Sequence, residues 1–192
     1  MREAVSGETE FIGVLDQAAI SFSSAIRSPR LDAVAIGVTA LGSGTVITIF
    51  VLSVALLFGL RRKFLQAVHL LAAAGGSALL TSMMKSYFER ARPEQLAHLV
   101  DVQGYSYPSG HSLSSSAVYF TFAILLFFDF RTSWERTLII GFSLASIMSI
   151  ALSRVYLGVH YFSDVIAGVM VGIFWAAILA AVAVYLAIRR KR

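Results

Sequence analysis

Residues 165–188 read VIAGVMVGIFWAAILAAVAVYLAI, twenty-four positions without one Asp, Glu, Lys or Arg. As a helix rising about 1.5 Å per residue, such a run reaches about 36 Å, more than the roughly 30 Å of bilayer hydrocarbon. Four more apolar segments precede it, at about 33–60, 64–84, 112–130 and 137–152, the last of them marginal in length for a span. With 57% hydrophobic and only 14% charged residues over 192 positions, the chain lacks the polar surface a soluble domain needs. The reading is an all-α, polytopic transmembrane helix bundle of about five spans. Three prolines are too few to build linkers, so one transmembrane domain over 33–192 is expected, preceded by an N-terminal segment over 1–32. Cysteine is absent, which excludes a disulfide framework, thiolate zinc sites and a cysteine nucleophile. The net charge of +5 sits in short clusters between apolar runs, a pattern that suits membrane topology and anionic ligands rather than a nucleic-acid groove.

Thr9 to Ile26 places Phe11, Ile12, Leu15, Ala18, Ala19, Phe22 and Ile26 near helical spacing among Asp16, Gln17 and several serines. This predicts an amphipathic helix at the membrane interface, ended by Ser28-Pro29-Arg30. It has no basic start leading into a pure apolar core, which reads against a cleaved signal peptide. Loops between successive spans alternate sides. The Arg61-Arg62-Lys63 loop, the Arg131 to Arg136 turn and the basic tail from Arg189 share one face and hold nine basic residues; the other face holds four once Lys85, Arg92 and Arg154 are set aside. The positive-inside rule then puts the C-terminus in the cytoplasm and the remaining loops outside.

Those three residues are set aside because they belong to polar clusters at the span ends, all on the outer side. Lys85 and Arg92 are seven residues apart, close to two helical turns, which predicts both cations on one helix face ended by Pro93. An ammonium and a guanidinium fork suit a tetrahedral dianion, although basic residues at a span's end also serve as headgroup anchors. Pro108-Ser109-Gly110-His111 stands directly before an apolar run, at an expected helix N-terminus where free N–H groups bind anions and where Ser109 is able to cap the helix. His111 beside a bound phosphate is placed to donate a proton. In the third cluster, His160, Asp164, Gly168 and Gly172 recur at every fourth position, one predicted stripe of a helix entering the last span. Asp164 accepting from Nδ1 would leave Nε2 of His160 free as a nucleophile, and the glycines would pack this helix closely on a neighbour. Arg154 supplies a third cation; the bland alternative is a His-Asp pair that staples a loop.

These residues resemble the type 2 phosphatidic acid phosphatase family, membrane relatives of glucose-6-phosphatase and vanadium haloperoxidases. Its pattern is Lys, six residues, Arg-Pro; Pro-Ser-Gly-His; then Ser-Arg, five residues, His, three residues, Asp. The chain reads KSYFERARP at 85–93, PSGH at 108–111 and SRVYLGVHYFSD at 153–164, with every spacing met. The resemblance covers roughly residues 33–188. It implies that His160 attacks phosphorus to form a phosphohistidine, that Asp164 orients it, and that His111 protonates the leaving oxygen and later activates water. Lys85, Arg92, Ser109, Gly110 and Arg154 would hold the phosphoryl oxygens, with no metal and no cofactor. Such proteins usually have six spans, so the first is expected to be missing here or reduced to the amphipathic segment at Thr9 to Ile26.

The implied activity is hydrolysis of a membrane lipid phosphomonoester or pyrophosphate, such as undecaprenyl pyrophosphate, phosphatidylglycerophosphate or phosphatidic acid, at the outer face of a bacterial cytoplasmic membrane. Two alternatives stay open: a lipid phosphotransferase using the same intermediate, and a non-catalytic anion or lipid transporter. Outside the motifs, Arg90 and Glu89 read as a solvated pair, His69 as structural or interfacial, and His98 and Asp101 as loop residues. Asp129 is expected to pair with Arg131 or Arg136.

Overall fold

A computed structural model describes residues 2–189, and among them every regular element is helical: α1 (Arg2–Ile26), α2 (Pro29–Ala40), α3 (Gly44–Leu60), α4 (Phe64–Phe88), α5 (Gly110–Asp129), α6 (Ser133–Tyr156) and α7 (Phe162–Arg189). The helix starts follow local chemistry. Ser28 caps α2 by accepting from the Leu31 N–H, with Pro29 in the first turn, and Ser43 caps α3 by accepting from the Val46 N–H. Thr132 and Glu135 form a reciprocal capping box that opens α6 four residues before the apolar segment begins. With that start and an end at Tyr156, the span that was marginal in the sequence becomes a 24-residue helix.

Helices α4, α5, α6 and α7 are long and apolar enough to cross a membrane. The apolar segment at 33–60 is not one straight span as expected: it breaks into α2 and α3, bent by 44° at Leu41-Gly42-Ser43. Taken together, the bent pair makes a fifth span. The break is a matter of close approach, since a Cβ on Gly42 would lie 2.5 Å from Cγ2 of Ile150 and 3.3 Å from the His111 ring.

The glycines of the third cluster do pack as predicted. A Cβ at Gly168 would stand 2.7 Å from the Ser109 carbonyl and one at Gly172 2.4 Å from that of Leu113, so α7 lies directly on the backbone of α5. This contact brings the start of α7 beside the start of α5, where the ends of α4 and α6 also arrive. At the opposite end Lys63 pairs with Asp129 at 2.6 Å. The expected Asp129 partners are thereby corrected: Arg136 instead donates to the Phe130 carbonyl and lies over the Phe127 ring, capping its own turn.

Helix α1 turns Asp16, Ile20 and Ser23 toward the protein and leaves Phe11, Val14 and Phe22 exposed. Asp16 reaches the start of α7, and Arg27 just beyond the helix donates to carbonyls of Ala97 and Tyr156. Both ends of this stretch therefore contact the end of the bundle that gathers the motifs, so the helix runs across that end with an apolar outward face.

Candidate active site

The loop between α4 and α5 folds back over the bundle end, tied down by the first cluster. Lys85 Nζ donates to the Tyr105 carbonyl at 2.5 Å, and Arg92 spreads its fork over the carbonyls of Gly104, Gln103, Tyr105 and Val159 at 2.8–3.2 Å. The two cations do not share a helix face. Helix α4 ends at Phe88, before Pro93 comes into play, because Glu89 takes a left-handed conformation (φ 46°) and donates its N–H to the Lys85 carbonyl. Arg92 enters from the loop, and both cations nevertheless reach the same Tyr105 oxygen.

His160 also lies off the helix where the stripe had placed it, in the turn that links α6 to α7. Gly158 makes that turn with φ 77°, a conformation side chains resist, and an added Cβ would meet the Ala97 carbonyl and the Arg27 guanidinium at 3.1 Å. The turn points His160 inward, 3% exposed. Its Nε2 stands 3.4 Å from Nη1 of Arg92, while Nδ1 stands 3.5 Å from both Oδ2 of Asp164 and Oγ of Ser106. At that separation the Asp164 contact is at the outer limit of hydrogen bonding, a spacing common where catalytic contacts tighten only around substrate. Burial, with the fields of Arg154 and Arg92, pulls the His160 pKa down to about 4 against the opposing effect of Asp164, so the ring is neutral at pH 7.

Asp164 is fully buried in the first turn of α7. Its Oδ2 accepts from the Ser106 hydroxyl and from the Tyr161 N–H, and its Oδ1 from Arg90 Nη1 at 2.6 Å. Arg90 also donates to Ser163 and to Asp16 and stacks on the Tyr161 ring. The solvated Arg90–Glu89 pair is therefore corrected: Glu89 is the left-handed cap of α4, and Arg90 bridges two buried carboxylates. Burial opposes the charge on Arg90, but hydrogen bonds and attraction from Asp16 and Asp164 more than offset it and raise its pKa.

Arg154 is 4% exposed near the end of α6. Its Nη1 donates to Thr39 Oγ1 at 2.9 Å, and its Nε, buried, has no acceptor among the described residues. Ser109 caps α5 as foreseen, accepting from the Ser112 N–H and hydroxyl, and gives its own N–H to the Asp164 carbonyl. Gly110 opens the helix, where N–H groups lack intrahelical acceptors. His111 follows it, packed beside Gly42 and close to the cations Arg154, Lys85 and Arg92. All three clusters are thus neighbours at one bundle end. Sequence reasoning missed Asp16, Thr39, Arg90, Ser106 and Ser163. Of these only Asp16 carried a readable signal, a lone carboxylate amid apolar helix positions.

The chain matches the model of the PAP2 superfamily over residues 66–188. It is 30% identical to phosphatidylglycerophosphatase B of Bacillus subtilis over 172 residues, 88% of this chain and 84% of that protein. It is 33% identical to a lipid A 1-phosphatase of Rhizobium johnstonii over 115 residues, 55% of this chain and 43% of that protein. Among solved structures, a transmembrane PAP2-type phosphatidylglycerolphosphate phosphatase from Bacillus subtilis superposes with a TM-score of 0.85 at 27% identity, over 94% of this chain and 90% of that one. Aquifex aeolicus LpxE superposes with a TM-score of 0.68 at 25% identity, over 84% and 92% of the two chains. The extent of the family match, the relative matched over 84% of its length and the shared helical bundle carry one conclusion: the chain is a multi-span membrane protein that belongs to the PAP2 superfamily.

Proposed function

We propose that this protein is a membrane lipid phosphatase that cleaves a phosphomonoester or pyrophosphate through a phosphohistidine on His160. The observation that carries the reading is the two-sided setting of that ring: buried and neutral, with Nε2 toward the Arg92 guanidinium and Nδ1 toward Asp164 and Ser106. A phosphate held by Lys85, Arg92, Arg154 and the Gly110 N–H would have its phosphorus in front of Nε2. The Ser109 hydroxyl accepts in its capping role and keeps its own proton to donate to a phosphoryl oxygen.

The Nε2 lone pair attacks phosphorus, the bond to the leaving oxygen breaks, and His111, protonated once the negative charge of the bound phosphate offsets the surrounding cations, supplies that oxygen with its proton. The ring then bears a positive charge, which the Asp164 carboxylate offsets. In the second half His111, now neutral, takes a proton from water, the hydroxide attacks phosphorus, and the N–P bond breaks to return inorganic phosphate and free His160. Three side-chain cations and a helix N-terminus stabilise the charge that builds on the transferring group, the dominant contribution in phosphoryl transfer. This chemistry needs no metal or cofactor.

The relatives' names point to phospholipid and lipid A headgroups, and the substrate here is a lipid of that kind or a polyprenyl pyrophosphate. The charge asymmetry of the loops supports a site at the outer face of a bacterial cytoplasmic membrane. Purified protein in detergent, given phosphatidylglycerophosphate, phosphatidic acid, lipid A and undecaprenyl pyrophosphate with excess chelator, is expected to release phosphate from at least one of them. No release from any, or release only on adding a divalent metal, would overturn the reading. A parallel arm with an unphosphorylated acceptor lipid separates hydrolysis from transfer.

A further inference from the structure

Arg90 has a placement that the phosphate-holding cations lack. Lys85 and Arg92 donate to backbone carbonyls, whereas Arg90 is committed to side chains: Nη1 to Asp164 at 2.6 Å and Ser163 at 2.7 Å, and Nη2 to Asp16 at 2.8 Å. One face of its guanidinium is covered by the Tyr161 ring at 4.1 Å. Asp16 in turn accepts from the Ser163 N–H and hydroxyl, both at 2.8 Å. The first turn of α7, which bears Asp164, is therefore gripped from α1 through one cation and one serine.

The charges are as specific as the geometry. Asp16 and Asp164 are 4% and 0% exposed, and among the described residues Arg90 alone forms a salt bridge with both. Two carboxylates against one guanidinium leave a surplus of one negative charge. On the reading above, His160 gains one positive charge when its Nε2 bonds to phosphorus, and this surplus is the anionic charge set against the cations Arg92 and Arg154 beside it. The other groups around His160 are Ser106 and Arg92 of the loop, Arg154 of α6 and His111 of α5, none of which is anionic.

Building on the phosphatase reading, we propose that Arg90 is a positioning residue, held by Asp16 of α1, that fixes the Asp164 carboxylate and sets the net charge facing His160. Helix α1 is then part of the catalytic apparatus without touching substrate. Asp16 positions Asp164 only through Arg90, so their losses in kcat cannot multiply, whereas the charges of the two reach His160 separately and their shifts of its titration add.

The test uses the full chain in detergent with ring-15N histidine, assigning His160 by its loss in His160→Ala, and follows its protonation by NMR without substrate. Removing the cation in Arg90→Gln is expected to raise the His160 midpoint by about one unit, removing the anion in Asp16→Asn to lower it by about as much, and the double variant to return it near wild type. In steady state with phosphatidylglycerophosphate, Asp16→Asn is expected to lose about tenfold in kcat and Arg90→Gln about a hundredfold, KM staying within about twofold, and the double variant to lose no more than Arg90→Gln. Arg90→Lys, which keeps the charge but spans only one carboxylate, is expected between wild type and Arg90→Gln, and with Asp16→Asn it keeps the test available if Arg90→Gln does not fold. A raised KM with kcat unchanged would make Arg90 a headgroup contact and overturn the proposal, as would multiplying losses or an unmoved His160 midpoint. Because the titration needs no turnover, expected shifts in a wild-type protein that forms no phosphohistidine would retire the phosphatase reading and leave the positioning role standing.

Discussion

Nη1 of Arg92 stands 3.4 Å from Nε2 of His160 and at the same time donates to the Val159 carbonyl one residue earlier, at 2.8 Å. The cation is thereby fixed to the backbone of the residue that precedes the proposed nucleophile, so a phosphate oxygen bound by Arg92 and the attacking nitrogen keep a set distance. Such fixed geometry is how positioning lowers a barrier without new chemistry.

The two histidines are predicted to differ in what their loss leaves behind. His160→Ala removes the nucleophile and is expected to cost at least about a thousandfold in kcat, with no covalent enzyme. His111→Ala removes the proton donor and the activator of water, so a substrate with a good leaving group should still load His160 and then stall. Rapid quench with labelled substrate into alkali, where phosphohistidine survives, reads both. Label retained by His160→Ala at the wild-type level would contradict the assignment.

Thr39→Val removes the one side-chain acceptor, among the described residues, of a buried guanidinium and is expected to destabilise the protein by about 1–3 kcal/mol. Arg154 should lose its fixed direction as well, lowering kcat by about tenfold. Vanadate, which offers that cation new acceptors, is expected to recover part of the lost melting temperature. Thermal unfolding in detergent with and without vanadate measures this.

At Gly172 an alanine would force its Cβ to within 2.4 Å of the Leu113 carbonyl, so α7 must move off α5 and carry Asp164 with it. Overpacking of this kind costs about 1–3 kcal/mol, and activity should fall with stability. Gly141→Ala in α6 is the control, since its Cβ meets open space. It is expected to be neutral or slightly stabilising, as a helix prefers alanine.

Acid should weaken the fold through His160. Its folded pKa of about 4 lies below the ordinary 6.5, so below 6.5 the unfolded chain takes up a proton that the folded one refuses. No cost arises above pH 6.5; it grows as pH falls toward 4 and levels off below, reaching about 3 kcal/mol. The apparent melting temperature is therefore expected to drop between pH 6.5 and 4, and His160→Gln should flatten that slope. An unchanged slope in the variant would show that the ring is not held neutral.

The motif residues were legible because their positions are set locally, at the ends of apolar runs that must cross a bilayer, and alternation of sides then brings those ends together. Ser109 as a cap and the close packing at Gly168 and Gly172 followed from helix physics alone. His160 was misplaced onto a helix because fourfold spacing does not reveal that Gly158 turns the chain just before it. The break at Gly42 was hidden in a hydropathy average over 33–60, although Leu41-Gly42-Ser43-Gly44 does carry a cap serine and glycines. Arg90 and Thr39 were out of reach, since their partners Asp16 and Arg154 lie 74 and 115 positions away in the chain. Such pairs are decided by tertiary packing, which no local pattern encodes.

The Asp16–Arg90–Asp164 chain also bears on how the protein is made. Synthesis delivers the N-terminal parts first, so α1 and the loop after α4 are in place before α7 emerges. Asp16 and Arg90 are then able to pair while Asp164 is still unmade. When the last span inserts, its buried carboxylate meets a counter-ion already waiting at the membrane edge and never has to enter an apolar setting alone, where an unpaired charge is most expensive. The order of the residues in the chain is therefore also a workable order of assembly, with the His160 turn added last to a site whose countercharge is already in place.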